Sequence, residues 1–144
     1  MKTEPRRRPM LASLALFVLL ASLPATCLAL ISVGNISKKR AQEMGISVNV
    51  RPRDEDVWVR VEFKAEGALQ EFRYANLEVT DGEKRLVLAA LMPQKLGENR
   101  VRLEFYVDPA SLPNSTVTII AYDGPLSGIG YGLRMKDFPP AAVR

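Results

Sequence analysis

Histidine is missing from this 144-residue chain, and its only cysteine, Cys27, lies close to the N-terminus. With no imidazole, the Ser-His and Cys-His nucleophile arrangements are excluded, as are the usual zinc and haem ligand sets. A single cysteine closes no intrachain disulfide, so the fold rests on its hydrophobic core, for which about 115 residues suffice. A basic stripe is missing too. The chain carries 20 basic and 16 acidic residues, but Lys2, Arg6, Arg7, Arg8 and Glu4 all fall at the N-terminus, leaving 16 basic and 15 acidic residues in 30–144. A net charge of +1, with Lys38-Lys39-Arg40 as the one basic run, does not make the electrostatic footprint of a nucleic-acid binder.

What the chain does have is a strong N-terminal targeting pattern. Lys2 and Arg6-Arg7-Arg8 precede an apolar run from Met10 to Leu23, Pro24 breaks it, and small residues follow at Ala25, Cys27 and Ala29. This is the pattern of a cleavable export signal, with Cys27 and Ala29 placing the cut before Leu30 and Ala25 with Cys27 offering a second site. A lipidated Cys27 is disfavoured by Pro24 and Thr26, which stand where a lipoprotein signal has leucine and a small residue. An uncleaved anchor fits the charge-free length from Met10 to Ser37, but Ser22, Pro24 and Thr26 argue against it. Arg7-Arg8-Pro9-Met10-Leu11 also suits a twin-arginine route. Each reading exports the remaining chain to the periplasm, the cell surface or the medium.

After Leu30, Ser37 is placed to cap a short helix over Lys38 to Met44, and Gly45 to end it in a left-handed conformation. Beyond Gly45 the hydrophobic period changes to two. Seven strands are expected: 46–51, 57–65, 71–80, 84–92, 100–108, 116–122 and 129–136. Val57, Val59, Val61 and Phe63 alternate with Trp58, Arg60, Glu62 and Lys64, and Val101, Leu103, Phe105 and Val107 alternate with Arg102, Glu104 and Tyr106. Antiparallel pairing of these two strands with residue numbers summing to 164 sets Arg60 against Glu104, Glu62 against Arg102 and Trp58 against Tyr106. Opposite charges then meet, the aromatics meet, and the valines, leucine and phenylalanines share the other face. Asp81-Gly82 predicts a tight hairpin in which Glu78 faces Arg85 and Leu77 faces Leu86.

Seven short strands, each with one apolar face, must bury those faces between two sheets. The fold class expected is all-β, a seven-stranded antiparallel β-sandwich of immunoglobulin or fibronectin III type. Its parts are a signal peptide (1–29), an N-terminal segment with a short helix (30–45), the sandwich (46–138) and a C-terminal tail (139–144). The approach Leu112-Pro113-Asn114-Ser115-Thr116 and the hairpin before it resemble the fibronectin type III arrangement, although position 117 is valine and the tyrosine of that family is absent. The stretches 37–46 (SKKRAQEMGI) and 130–138 (GYGLRMKDF) resemble small exported proteins of unknown function from planctomycete-type bacteria. That resemblance implies an exported β-rich domain and no activity.

Two surfaces and one loop end carry candidate chemistry. Trp58 falls on the polar face of its strand beside Tyr106, where it either stacks on a sugar or a protein partner or packs within the face. Gly128, Gly130 and Gly132 leave one side of the last strand bare, open to a partner or covered by a neighbouring side chain. Strand parity gathers Asp54, Asp56, Asp81 and Asp108 at one end of the sandwich, which suggests a calcium-dependent adhesion-like module as the alternative function. Carboxylate pairs for hydrolysis are limited to Asp54 with Asp56 and Glu62 with Glu104, without a recognisable catalytic motif. The expectation is an exported, non-catalytic binding or structural module of the cell envelope. It needs no cofactor, takes a protein or glycan partner, binds no nucleic acid and has no membrane span in the mature chain.

Overall fold

The computed structural model describes residues 30–140, so the export signal over 1–29, with Cys27, and the last four residues of the expected tail lie outside the described residues. Among the described residues nine strands form: β1 (Leu30–Asn35), β2 (Ser47–Arg53), β3 (Asp56–Lys64), β4 (Phe72–Asp81), β5 (Lys84–Leu91), β6 (Gln94–Leu96), β7 (Arg100–Val107), β8 (Ser115–Tyr122) and β9 (Ser127–Arg134). One helix, α1 (Lys38–Glu43), follows β1. One sheet has the order β1-β9-β8-β4-β5 and the other β2-β3-β7-β6. Among the described residues no helix is long and apolar enough to cross a membrane.

The seven expected strands are present with ends within two residues of the expected ones, and β1 and β6 are additional. β6 is three residues between Pro93 and Gly97, too short to show a period. β1 continues the apolar composition of the residues before it and has no polar alternation to mark it as a strand. It joins the sheet parallel to β9, Leu30 opposite Ser127 and Asn35 opposite Gly132, so the sandwich is not wholly antiparallel. Residues 30–45, expected ahead of the sandwich, therefore form part of it. α1 begins as anticipated, with the Arg40 N–H donating to Ser37 Oγ at 3.2 Å, and Gly45 follows it at φ +72°. Ala41 turns that helix into the core.

The β3–β7 register is the expected one, from Val57 opposite Val107 to Lys64 opposite Arg100. Its inward residues meet Leu77 and Val79 of β4, Val117 and Ile119 of β8 and Leu133 of β9 in one hydrophobic core. Phe63 packs edge-on against Phe72, ring centroids 5.2 Å apart, a favoured aromatic geometry.

The β4–β5 hairpin differs from expectation. Asp81 pairs with Lys84, so the two turn residues are Gly82, at φ +58°, and Glu83. Thr80 pairs with Arg85 and Val79 with Val87, which leaves Leu86 as the extra residue of a β-bulge. Beyond it Glu78 faces Leu88 and Leu77 faces Ala89, in place of Arg85 and Leu86. The expected charge pair forms regardless, diagonally across the bulge, with Arg85 Nε 2.6 Å from Glu78 Oε1.

Candidate functional site

The outer face of the four-stranded sheet is laid out in rows by its register. Arg51, Trp58 and Tyr106 lie abreast across β2, β3 and β7; the next row is Asn49, Arg60 and Glu104, and the next Ser47, Glu62, Arg102 and Gln94. Charge in the two lower rows is consumed locally. Arg60 Nε donates to Glu104 at 2.7 Å, Arg102 Nε donates to Glu62 at 2.6 Å, and Arg102 also lies 3.9 Å from Glu104. All four side chains are partly buried by one another, so the pairs fix the face more than they stabilise the fold, each contributing under about 1 kcal/mol. Glu62 and Glu104, the carboxylate pair considered for hydrolysis, are thus each held by an arginine.

The upper row differs. Trp58 is half-buried, with the Arg60 guanidinium 4.5 Å from its ring centroid and that of Arg53 at 6.0 Å, while Tyr106 beside it is 58% exposed. An indole held by flanking guanidiniums is oriented before any partner arrives, because cation–π contacts restrict its rotamer. The sequence located both aromatics and their adjacency. The arginines that hold Trp58 sit two residues away on its own strand and across the turn.

The three glycines of β9 are placed differently from an open lane. Their bare side is occupied: a Cβ on Gly130 would stand 2.8 Å from Val33 Cγ2 and 2.9 Å from Ile120 Cδ1, one on Gly128 would stand 3.0 Å from the Tyr122 ring, and one on Gly132 would collide with the Asn35 amide oxygen. β1 and β8 therefore lean across β9 from both sides, and β9 is not a sheet edge.

The acidic end is assembled from the predicted loops, but its carboxylates do not converge. Among the described residues no group of three or more acidic, histidine or cysteine side chains could hold a metal ion. Asp54 sits in the β2–β3 turn at φ +53°, and Asp81 flanks the β4–β5 turn. Asp108 serves the backbone. Its Oδ1 accepts from the Ser111 N–H at 3.0 Å, and hydrogen bonds from the Ser111 side chain and backbone hold its carboxyl below the ordinary carboxylate value.

At the opposite end lies a feature that strand parity did not single out. A solvent-open cleft of about 750 Å³ is lined by Glu71, Arg73, Tyr122, Asp123 and Tyr131, with the Arg73 guanidinium 5.3 Å from the Tyr122 ring. The Asp123-Gly124-Pro125 turn that follows Tyr122 at the end of β8 also lines the cleft. The chain matches no protein-family model and no curated protein sequence.

Proposed function

We propose that the protein is an exported, non-catalytic binding module of the cell envelope, with an immunoglobulin-like sandwich that presents the Arg51–Trp58–Tyr106 row to a protein or glycan partner. The observation that carries this reading is the contrast on one sheet face. The Arg60, Glu62, Arg102 and Glu104 side chains neutralise one another, while Tyr106 stays exposed beside a pre-oriented Trp58. Aromatic residues with a neighbouring arginine are the side chains that most often anchor an interface, because they exchange large apolar area for little lost rotamer freedom.

The strand order supports the immunoglobulin-like assignment. β2-β3-β7-β6 corresponds to strands A, B, E and D of such a domain and β5-β4-β8-β9 to C′, C, F and G. Export is supported by the targeting pattern of Lys2, Arg6-Arg7-Arg8 and the apolar run from Met10 to Leu23. The absence of catalysis is supported by the missing histidine and by the arginines that hold Glu62 and Glu104.

Trp58 is the only tryptophan, so its fluorescence reports on this row alone. Titration of the purified protein with soluble peptidoglycan fragments and with envelope polysaccharide is expected to shift or quench the emission saturably, and Tyr106→Ala to weaken binding at least tenfold. Saturable binding that leaves the emission unchanged, or that Tyr106→Ala and Trp58→Phe leave intact, places the ligand elsewhere and overturns the reading.

A further inference from the structure

We infer that β5 is the contact strand of a symmetric homodimer, pairing antiparallel with β5 of a second copy so that the two five-stranded sheets join into one. β5 is the end strand of its sheet, and from Lys84 to Ala90 its side chains are exposed on both faces, with Leu91 alone turned into the core. Leu86 is 52% exposed, Val87 44%, Leu88 55% and the following Met92 84%, and Ala89 and Ala90 are exposed as well. From Leu86 to Met92 the strand contains no charge and no proline, the two devices that ordinarily protect a sheet edge. The bulge at Leu86 is the one interruption.

The second copy is argued from area, charge and backbone. With ordinary side-chain areas the stated exposures amount to roughly 500 Å² of apolar surface on each copy, so a symmetric contact removes at most roughly 1,000 Å² in all, which reaches the lower limit of a specific interface. Lys84 and Arg85 stand together at one end of β5. A parallel pairing would set them beside their own counterparts, whereas an antiparallel one separates the two pairs by roughly 25–30 Å along the strand, beyond the reach of screened repulsion. Arg85 is in addition neutralised by Glu78 within its own chain.

Backbone alternation sets the register. In an antiparallel ladder every second residue bonds to the same neighbour. Counted from the Asp81↔Lys84 pair that closes the hairpin, and across the bulge, Val87, Ala89 and Leu91 bond to β4, and the backbone groups of Leu88 and Ala90 face outward. Leu88 of each copy then exchanges hydrogen bonds with Ala90 of the other, and the two-fold axis passes beside Ala89. This surface lies on the other sheet from the Trp58 row, so a dimer leaves that row free on both copies.

The test is sedimentation and cross-linking of the protein purified from expression of the full-length chain. At micromolar concentration and above it is expected to sediment as a dimer. Leu88→Lys, which sets charges beside the axis at a position outside the core, is expected to sediment as a monomer with an unchanged far-ultraviolet circular dichroism spectrum. In a Cys27→Ser background, Ala89→Cys is expected to form an intermolecular disulfide on mild oxidation, and Lys84→Cys to form none. A monomer at every concentration overturns the inference, including one whose β5 edge takes up a strand from a different protein. So does a dimer that survives Leu88→Lys, or one that cross-links equally through Lys84→Cys.

Discussion

Alanine at Gly130 tests whether the bare lane of β9 is a covered surface or an open one. The backbone at Gly130 is not in the left-handed region, so an added methyl is opposed by sterics alone. It would meet Val33 Cγ2 at 2.8 Å, Ile120 Cδ1 at 2.9 Å and Thr118 Cγ2 at 3.1 Å, all ends of side chains and none of them backbone. Over-packing of this kind costs about 1–3 kcal/mol. Replacing a strand glycine recovers about 0.5–1 kcal/mol of chain entropy, which leaves a net loss of roughly 0.5–2 kcal/mol. Val33 is 59% exposed on β1, so Val33→Ala alone should cost less than about 1 kcal/mol. The double variant removes the nearest clash and should be more stable than the sum of the single effects by about 0.5 kcal/mol or more. Gly34→Ala is the control: nothing lies within 4 Å of its Cβ, so it should be neutral or gain up to about 1 kcal/mol. Urea unfolding of the purified variants, followed by Trp58 fluorescence, measures all four. Gly130→Ala as stable as the parent, or effects additive within about 0.3 kcal/mol, would mean that β1 does not lie over Gly130 and that the lane is open to a partner.

Phe105 is buried opposite Val59 while Trp58 lies on the outer face, so Phe105→Ala should lose about 3–5 kcal/mol and Trp58→Ala a fraction of that. Thermal or urea denaturation ranking Trp58→Ala as the worse would reverse the assignment of faces. Because the folded Asp108 carboxyl lies below its ordinary value of 3.8, its contribution is complete above that value and lost as the pH falls through the lower folded one. Asp108→Asn should therefore be less stable than the parent near neutrality, with the difference closing below about pH 4 in melts across an acid series. Millimolar calcium should leave the melting midpoint unchanged, since the acidic loops form no group of three carboxylates among the described residues; a rise abolished by Asp54→Asn with Asp56→Asn would restore the calcium-dependent reading.

The β3–β7 pair was legible in the sequence because both of its faces are written unambiguously. Valines and phenylalanines mark one side, charge signs alternate on the other, and only the register summing to 164 satisfies both. Ser37 and Gly45 bracketed α1 for an equally local reason, since a capping hydroxyl and a left-handed glycine act on their own backbone. The candidate aromatic row followed directly, Trp58 and Tyr106 being neighbours in that same register.

Tertiary structure decided what depends on segments distant in sequence. The composition of β1 is compatible with an apolar leader as well as with a strand, and its pairing with β9 is accommodated because Gly130 and Gly132 leave room for Val33 and Asn35 to close over them. A bulge at Leu86 shifted the hairpin register, which no alternation of polar and apolar residues could signal in the uniformly apolar run from Leu86 to Leu91. That same run reads as a core strand in the sequence. Only the strand order leaves it at an edge, since β5 comes last in its sheet and Val87 and Ala89 remain exposed there. Local periodicity determines which face of a strand is apolar; the number and order of the strands determine whether anything lies against it.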